Sequence, residues 1–173
     1  RKFPPFFDYN INLNYSVIEK CCSIDEIKHP SIKGCLSYMN ILSNIEINHS
    51  SDIPGRSGLG SSSAFTAGLL NVLSAYKGEK LSKLDLAKLT VHVEQDIINE
   101  NVGYQDQYAT AIGGFNHISF RGNNNVEITP IALSKNRRAD LLEHLMLFHT
   151  KKSRIASNVV KEQIRNIPKT QDT

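Results

Sequence analysis

Three features of this sequence contain residue types that can bind or react with a phosphorylated ligand. The first is the stretch GLGSSS, residues Gly58 to Ser63, which leads directly into an apolar segment with helical character. A helix N-terminus exposes unpaired N–H groups and a partial positive charge, and glycines let phosphate oxygens approach the backbone. The stretch therefore predicts an anion-binding loop, with a simple helix cap or a linker as the alternative. The other two features are the carboxylates of Glu94 and Asp106.

Glu94 shares one face of a predicted helix with three apolar residues, Ala87, Val91 and Ile98. A buried carboxylate needs a partner. Mg²⁺ is a natural one because it binds a few carboxylate or hydroxyl oxygens together with phosphates and water. The alternative is that Glu94 lies at the edge of the apolar face and points into water.

Asp106 stands at the start of a short predicted helix, three residues after Gly103. Its carboxylate could simply cap that helix. In a phosphoryl transfer the same carboxylate would take or orient the proton of the hydroxyl that attacks the γ-phosphate. The residue types alone leave both interpretations open.

The elements that must position these residues form an α+β pattern without regular βαβ alternation. Period-two and helical spacings, punctuated by glycine and proline, predict the element bounds. Gly78 is expected just after one helix, and Ser82 with Asp85 predicts a capping box at the next. The predicted strands are 11–17, 45–48, 115–120, 126–131 and 141–150, and the predicted helices are 31–43, 61–77, 82–99, 106–112 and 154–166.

Composition excludes several classes of protein. The 173 residues are 40% apolar with a net charge of +3, which is typical of a globular domain, and the scattered basic residues indicate no nucleic-acid partner. No stretch reaches the ~18 apolar residues of a membrane span and no signal-peptide core follows the N-terminus, so we expect a cytoplasmic protein without membrane contact. Cys21, Cys22 and Cys35 lack zinc-site spacing and are expected to be reduced.

The loop resembles the phosphate loop of a known superfamily. Residues 54–64, PGRSGLGSSSA, are similar to the P-x-x-x-G-L-G-S-S-[AS] motif of the GHMP kinases, which include galactokinase, homoserine kinase and mevalonate kinase. The resemblance implies that Ser62 and Glu94 bind Mg²⁺ and that Asp106, in a G-x-x-D-Q segment, is the catalytic acid–base residue. It also implies that ATP is bound by Pro54, Gly55, Arg56, Ser57, Gly58, Leu59, Gly60, Ser61, Ser62 and Ser63.

Further stretches, among them SIDEIKHP at 23–30 and NVGYQDQ at 101–107, resemble the heptose 7-phosphate kinases of this superfamily. That resemblance implies transfer of the γ-phosphate of ATP to the anomeric hydroxyl of a heptose 7-phosphate, for nucleotide-activated heptose and bacterial surface glycans. A sugar phosphate would need cationic and polar contacts, for which Arg154 and Gln105 are candidates.

The same resemblance implies a fold and a domain division. We expect the α+β fold of the GHMP kinase N-terminal domain, which is ribosomal protein S5 domain 2-like, with a mixed sheet and helices packed on it. Residues 1–150 would be this ATP-binding domain, without its first strands, and residues 151–173 would begin the C-terminal domain. A piece of this kind, tested alone, is expected to turn over poorly or not at all.

Other functions stay open on the sequence. The chain could be a kinase for another sugar or GHMP substrate, or a non-catalytic regulator that binds nucleotide or sugar. A Walker A loop is disfavoured because no lysine follows the last glycine. A Rossmann-type oxidoreductase is disfavoured because Ser63 stands where the third glycine of the fingerprint should be.

Overall fold

The computed structural model describes residues 1–52, 58–122 and 125–148. Its main sheet has three strands in the order β2-β1-β3, namely β1 (Ile11–Asn14), β2 (Ile18–Cys21) and β3 (Ile45–Asn48). β1 is antiparallel to β2 and parallel to β3. The predicted mixed sheet is therefore confirmed.

Five α-helices accompany this sheet within the described ranges: α1 (Pro30–Tyr38), α2 (Ser61–Tyr76), α3 (Lys83–His92), α4 (Gln105–Ile112) and α5 (Lys135–Glu143). α3 continues into a π-helical turn, Val93–Ile97, and a 3₁₀ turn, Ile24–Glu26, precedes α1. An antiparallel hairpin of β4 (Asn116–Arg121) and β5 (Asn125–Pro130) follows α4. None of the helices in these ranges has the length and apolar character that crossing a membrane requires.

The core lies between the main sheet and the helices. Ile11 and Leu13 alternate inward from β1 and meet Leu36 of α1 and Leu70 and Leu73 of α2, all at most 2% exposed. Burying a side chain of this kind stabilises a fold by about 1.5–3 kcal/mol. Because α2 packs on α1, α3 and α4 together, it is the central helix, and its position fixes where the glycine–serine loop ends.

Several local signals work as predicted. The Ser82 hydroxyl accepts a hydrogen bond from the Asp85 backbone N–H at 3.1 Å, which starts α3. Gly78, with φ of +80°, follows the end of α2, where a left-handed residue closes the helix. The strand at 45–48 is confirmed, and the hairpin around residues 122–125 lies within one residue of its predicted bounds.

The strand predicted to reach Val17 is too long. β1 ends at Asn14, the chain turns at residues 15–17, and it returns as β2, which the sequence analysis missed. The reason is that β2 turns Glu19 and Cys21 inward, so its buried face is not an apolar alternation. The Tyr15 hydroxyl and the Lys28 backbone N–H donate to the Glu19 carboxylate and offset the cost of burying it.

Two further element predictions need correction. The helix expected over 31–43 begins at Pro30 and ends at Tyr38, since the left-handed Asn40 stops it. The strand expected over 141–150 is wrong, because residues 141–143 complete α5 and residues 144–148 form no strand. A cap that the sequence analysis overlooked, Ser134, starts that helix by accepting a hydrogen bond from the Arg137 backbone N–H. The helix predicted over 154–166 lies outside the described residues.

Candidate functional site

The end of the glycine–serine loop is shaped to receive an anion. Gly60 is the N-cap of α2, with φ of +69°, and Gly58 has φ of +78°. The first intrahelical bond runs from the Ala64 N–H to the Gly60 carbonyl at 2.9 Å, so the N–H groups of residues 61–63 precede it. Left-handed glycines next to a helix N-terminus direct successive N–H groups to one side, and such concave sites bind phosphate.

Glu94 lies against the first turn of α2. It is 1% exposed, so of the two positions that the sequence left open the structure has the inward one. Its Oε2 accepts hydrogen bonds from the Ser63 hydroxyl at 3.0 Å and from the Gln107 side-chain amide at 2.5 Å. Its Oε1 has no hydrogen-bond donor among the described residues. No lysine, arginine or histidine in that part of the chain forms an ion pair with it.

The π-helical turn explains how Glu94 reaches this position. The Ile98 N–H donates to the Val93 carbonyl at 2.9 Å, five residues back, so this turn holds one residue more than an α-helical turn. Val93 and Glu94, which stand at the start of the turn, are both buried. α1 packs closely on this turn because Gly34 has no side chain there: a Cβ at Gly34 would lie 2.8 Å from Cγ1 of Ile98.

Asp106 approaches the same helix end from another direction. It is half-buried in the first turn of α4, and a Cβ built at Gly60 would lie 3.5 Å from its carboxylate carbon. The carboxylate therefore rests against the left-handed residue that caps α2. Asp106 thus lies against residue 60 and Glu94 against residue 63, so both acids meet the N-terminal end of α2.

Burial and the nearby Glu94 carboxylate shift the pKa values of two neighbouring groups. Burial raises the pKa of the Cys35 thiol to about 12, and the Glu94 carboxylate adds to that shift. Burial also raises the pKa of Glu100, again with a contribution from Glu94. The raised pKa values mean that Cys35 and Glu100 both favour their uncharged forms beside Glu94.

A cleft of about 930 Å³ opens on the opposite face of the first turns of α2. Ser61, Ser62 and Phe65 are among the residues that line it, whereas Ser63 faces Glu94. The ring of Phe65 lies between the imidazoles of His49, at 4.7 Å, and His29, at 5.1 Å. Burial lowers the pKa of His29. An aromatic, partly apolar cleft beside an anion-binding helix end suits a flat ring attached to phosphates.

The structure brings most of the predicted site residues together. Residues 58–63, Glu94 and Asp106 converge on the N-terminus of α2. The hydroxyl at Glu94 belongs to Ser63, while Ser62 lies on the cleft side, so a shared Ser62–Glu94 metal site stays a prediction. Gln105 is exposed at the start of α4, and its role also stays a prediction. Pro54, Gly55, Arg56, Ser57 and Arg154 lie outside the described residues.

The sequence analysis missed Gln107 and the aromatic lining of the cleft. Gln107 is 1% exposed and shares the buried face of α4 with Tyr108 and Ala111. The signal for it was the glutamine of the G-x-x-D-Q segment, whose inward position follows from the helical spacing. The cleft residues come from separate elements, and only the fold brings them together.

The residues present fit a magnesium ion. Glu94 offers one carboxylate oxygen without a donor, and no cationic side chain in the described ranges forms an ion pair with it. No cluster of three or more histidine, cysteine or acidic side chains able to hold a metal occurs in the ranges that the structure describes. Mg²⁺ needs no such cluster, because it takes one or two carboxylates and completes its shell with substrate phosphates and water.

Comparison with known proteins shows what this chain is similar to. Residues 28–114, about half of the chain, match the family profile described as GHMP kinases N terminal domain. The D-glycero-alpha-D-manno-heptose 7-phosphate kinase of Campylobacter jejuni is 31% identical over 109 residues, covering 63% of this chain and 32% of that protein. The galactokinase of Thermosipho africanus is 36% identical over 67 residues, covering 39% of this chain and 19% of that protein.

A crystal structure agrees in fold. That of a D-glycero-D-manno-heptose 1-phosphate kinase from Bacteroides thetaiotaomicron aligns with a TM-score of 0.67 at 24% identity, over 74% of this chain and 46% of that chain. This chain thus spans about a third of the length of the Campylobacter enzyme and under half of the Bacteroides structure.

Proposed function

Because the chain belongs to the GHMP kinase family through its N-terminal domain, we propose that it forms the ATP-binding part of a sugar kinase. The reaction would transfer the γ-phosphate of ATP to the anomeric hydroxyl of a heptose 7-phosphate, and it would run in the cytoplasm, which supplies the ATP. The observation that carries the proposal is the convergence of Glu94 and Asp106 on the N-terminus of α2, one at Ser63 and the other at Gly60.

The loop and the cleft would bind different parts of ATP. The N-terminal N–H groups of α2 would hold the phosphates, since they are unpaired in the helix and lie at the positive end of its dipole. The adenine ring would stack in the aromatic cleft near Phe65. This arrangement sends the phosphate chain across the helix end toward the acidic side chains.

Asp106 would act on the acceptor. Its carboxylate is half-exposed and forms no side-chain hydrogen bond within the described residues, so it is available to a bound hydroxyl. It would accept the proton of that hydroxyl, or hold the hydroxyl in line, as the oxygen attacks the γ-phosphorus. Its place at Gly60 would set the acceptor oxygen beside the phosphates rather than beside the base.

Glu94 would hold a divalent cation through its unpaired oxygen. The resemblance to the motif adds the Ser62 hydroxyl as a second proposed ligand of that cation. When bound, Mg²⁺ would neutralise the charge that develops on the phosphate oxygens. The contribution of the chain itself is a carboxylate fixed in place before the cation arrives, since Glu94 is buried and doubly hydrogen-bonded.

The choice of a heptose phosphate is supported by the name of the Campylobacter relative and by the stretches at 23–30 and 101–107. Arg154 and Gln105 are proposed to contact this acceptor. A kinase for another sugar is the second candidate, because the chain is also similar to a galactokinase. We further propose that residues 1–150 form the N-terminal domain and that residues 151–173 begin a second domain that completes the acceptor site.

Asp106→Asn tests the proposal in the full-length protein. The substitution keeps the shape of the side chain and removes the base, so transfer to the acceptor should fall by about 100- to 10,000-fold while the Kd for ATP stays within a few-fold. Phosphate transfer from labelled ATP would be measured over a panel of sugars and sugar phosphates with Mg²⁺. Asp96→Asn is the matched control, because Asp96 is exposed and pairs with His92 instead of facing the loop.

The outcomes separate the candidate functions. Transfer to heptose 7-phosphate alone supports the proposal, and transfer to another acceptor moves the assignment to another sugar. ATP binding without transfer to any acceptor indicates a non-catalytic regulator. Full transfer by Asp106→Asn would contradict the role given to Asp106.

A further inference from the structure

Glu94 is held asymmetrically. Both hydrogen bonds that it accepts, from Ser63 and from Gln107, fall on Oε2, whereas Oε1 has no donor among the described residues. All three side chains are at most 4% exposed. A buried carboxylate anchored through one oxygen cannot rotate to exchange its two oxygens without breaking both bonds, so the orientation of the other oxygen is fixed.

Gln107 contributes a second buried oxygen that lacks a hydrogen-bond donor among the described residues. Its amide nitrogen donates to Glu94, but its own Oε1 also lacks a donor within the described part of the chain. Two buried acceptors without donors therefore belong to side chains that are directly hydrogen-bonded to each other. Unsatisfied buried acceptors are costly, and a hydrated cation supplies both a positive charge and water donors.

Gln107 also links the two acids of the proposed site. It follows Asp106 directly in the first turn of α4, and it reaches the π-helical turn through its bond to Glu94. That bond joins α4 to the turn across the first residues of α2. A displacement of either element would therefore pull Glu94 away from its place beside Ser63.

We infer that Gln107 is a positioning residue: it holds one oxygen of Glu94 so that the other faces a hydrated divalent cation, whose water shell its own carbonyl oxygen helps to bind. This inference rests on the proposed function. It assigns Gln107 a part in cation affinity that the acid–base role of Asp106 does not include. Partners that orient a metal-binding carboxylate commonly change metal affinity 10- to 100-fold when they are removed.

The test compares the coupling between cation and nucleotide in the full-length protein. Gln107→Met keeps the length of the side chain and removes the donor and the acceptor. The readout is the ratio of the Kd for a non-hydrolysable ATP analogue without and with saturating Mn²⁺, measured by calorimetry. The variant should lower this ratio by about 10-fold or more, with the Kd for the analogue without Mn²⁺ unchanged.

The matched control is Gln95→Met. Gln95 is the residue after Glu94, and its amide donates to the Val102 carbonyl at 2.7 Å, so this variant also loses a side-chain hydrogen bond next to the π-helical turn. A purely structural role for Gln107 predicts the same result for both variants. The inference predicts that Gln95→Met keeps the wild-type ratio within twofold, whatever its effect on thermal stability.

The remaining outcomes also test the inference about Gln107. If Gln107→Met does not fold, Ser63→Ala removes the other donor to the same oxygen, and it should lower the ratio as well. An unchanged ratio in the folded Gln107 variant, or in Ser63→Ala where that variant replaces it, overturns the inference and leaves the proposed function standing. Absence of any Mn²⁺ effect in the wild-type protein overturns both.

Discussion

Replacing Gly34 by alanine tests whether the close packing of α1 on the π-helical turn supports the fold. Gly34 lies buried in the middle of α1, and a Cβ added there would meet Ile98 Cγ1 at 2.8 Å and Cδ1 at 3.2 Å. A separation of 2.8 Å is too short for two carbon atoms in van der Waals contact, so the turn that carries Glu94 must shift or Ile98 must leave its rotamer.

Gly68→Ala provides a matched control for the magnitude. Gly68 also lies in the middle of a helix, α2, but it is exposed and a Cβ there would meet nothing within 4 Å. Alanine in place of glycine should stabilise either helix by roughly 0.5–1 kcal/mol. Only Gly34→Ala adds an overpacking cost of roughly 1–3 kcal/mol, so this cost is the expected difference in unfolding free energy between the two variants.

Thermal unfolding of both variants without nucleotide measures this difference. For a chain of this size, roughly 2–4 °C in Tm corresponds to 1 kcal/mol, so Gly34→Ala should melt below Gly68→Ala by at least about 2 °C. Adding Ile98→Ala to each variant should reduce the gap, because the clashing atoms are then gone. Equal Tm values for the two alanine variants would refute the claim that α1 and the π-helical turn are packed as closely as described.

Two further predictions concern Tyr15, which lines the cleft, and the three cysteines. Burial and the hydrogen bond to Glu19 raise the pKa of Tyr15 to about 12, so its stabilising contribution is complete below pH 10 and is lost as the pH rises toward 12. Over that range the unfolding free energy of Tyr15→Phe, measured by urea denaturation, should fall less than that of the wild type. An equal fall with pH in the two proteins would contradict this prediction. Among the three cysteines Cys22 is the exposed one, so a thiol reagent should modify about one thiol per native chain and three after denaturation. Cys22→Ser should remove the native signal, and a remaining fast thiol would show that a buried cysteine is accessible.

The apolar helix face that carries Glu94 could be predicted from the sequence, but the inward direction and the geometry of its carboxylate could not. Its helical spacing from Ala87 and Val91 placed it on an apolar face, and both of those residues are buried as expected. The π-helical turn has no comparable local signal, because its wide turn depends on what packs against it. The contact of Gly34 with Ile98 joins residues 64 apart, so only the folded chain shows it.

The loop shows the same difference between what the local sequence predicts and what only the folded chain shows. Glycines before a run of serines and an apolar helix predicted a glycine-capped helix start at α2, because the dipole and the free N–H groups of a helix end are local properties. Which serine contacts Glu94 was not predictable, since Ser62 and Ser63 differ by only about 100° around the helix. The fold decides it, because the Ser63 hydroxyl is the one that donates to Glu94.

The two acids are also placed in environments suited to different tasks. Glu94 is 1% exposed and anchored by two donors, and it forms no ion pair with a cationic side chain among the described residues, so its carboxylate is held in place. Asp106 is half-buried, unanchored by side chains in the same part of the chain, and rests on Gly60. A fixed, buried carboxylate suits the proposed cation, whereas a partly exposed one suits the proposed contact with an acceptor hydroxyl. Under the proposed function, exchanging the two environments would therefore impair both roles, even if both carboxylates remained.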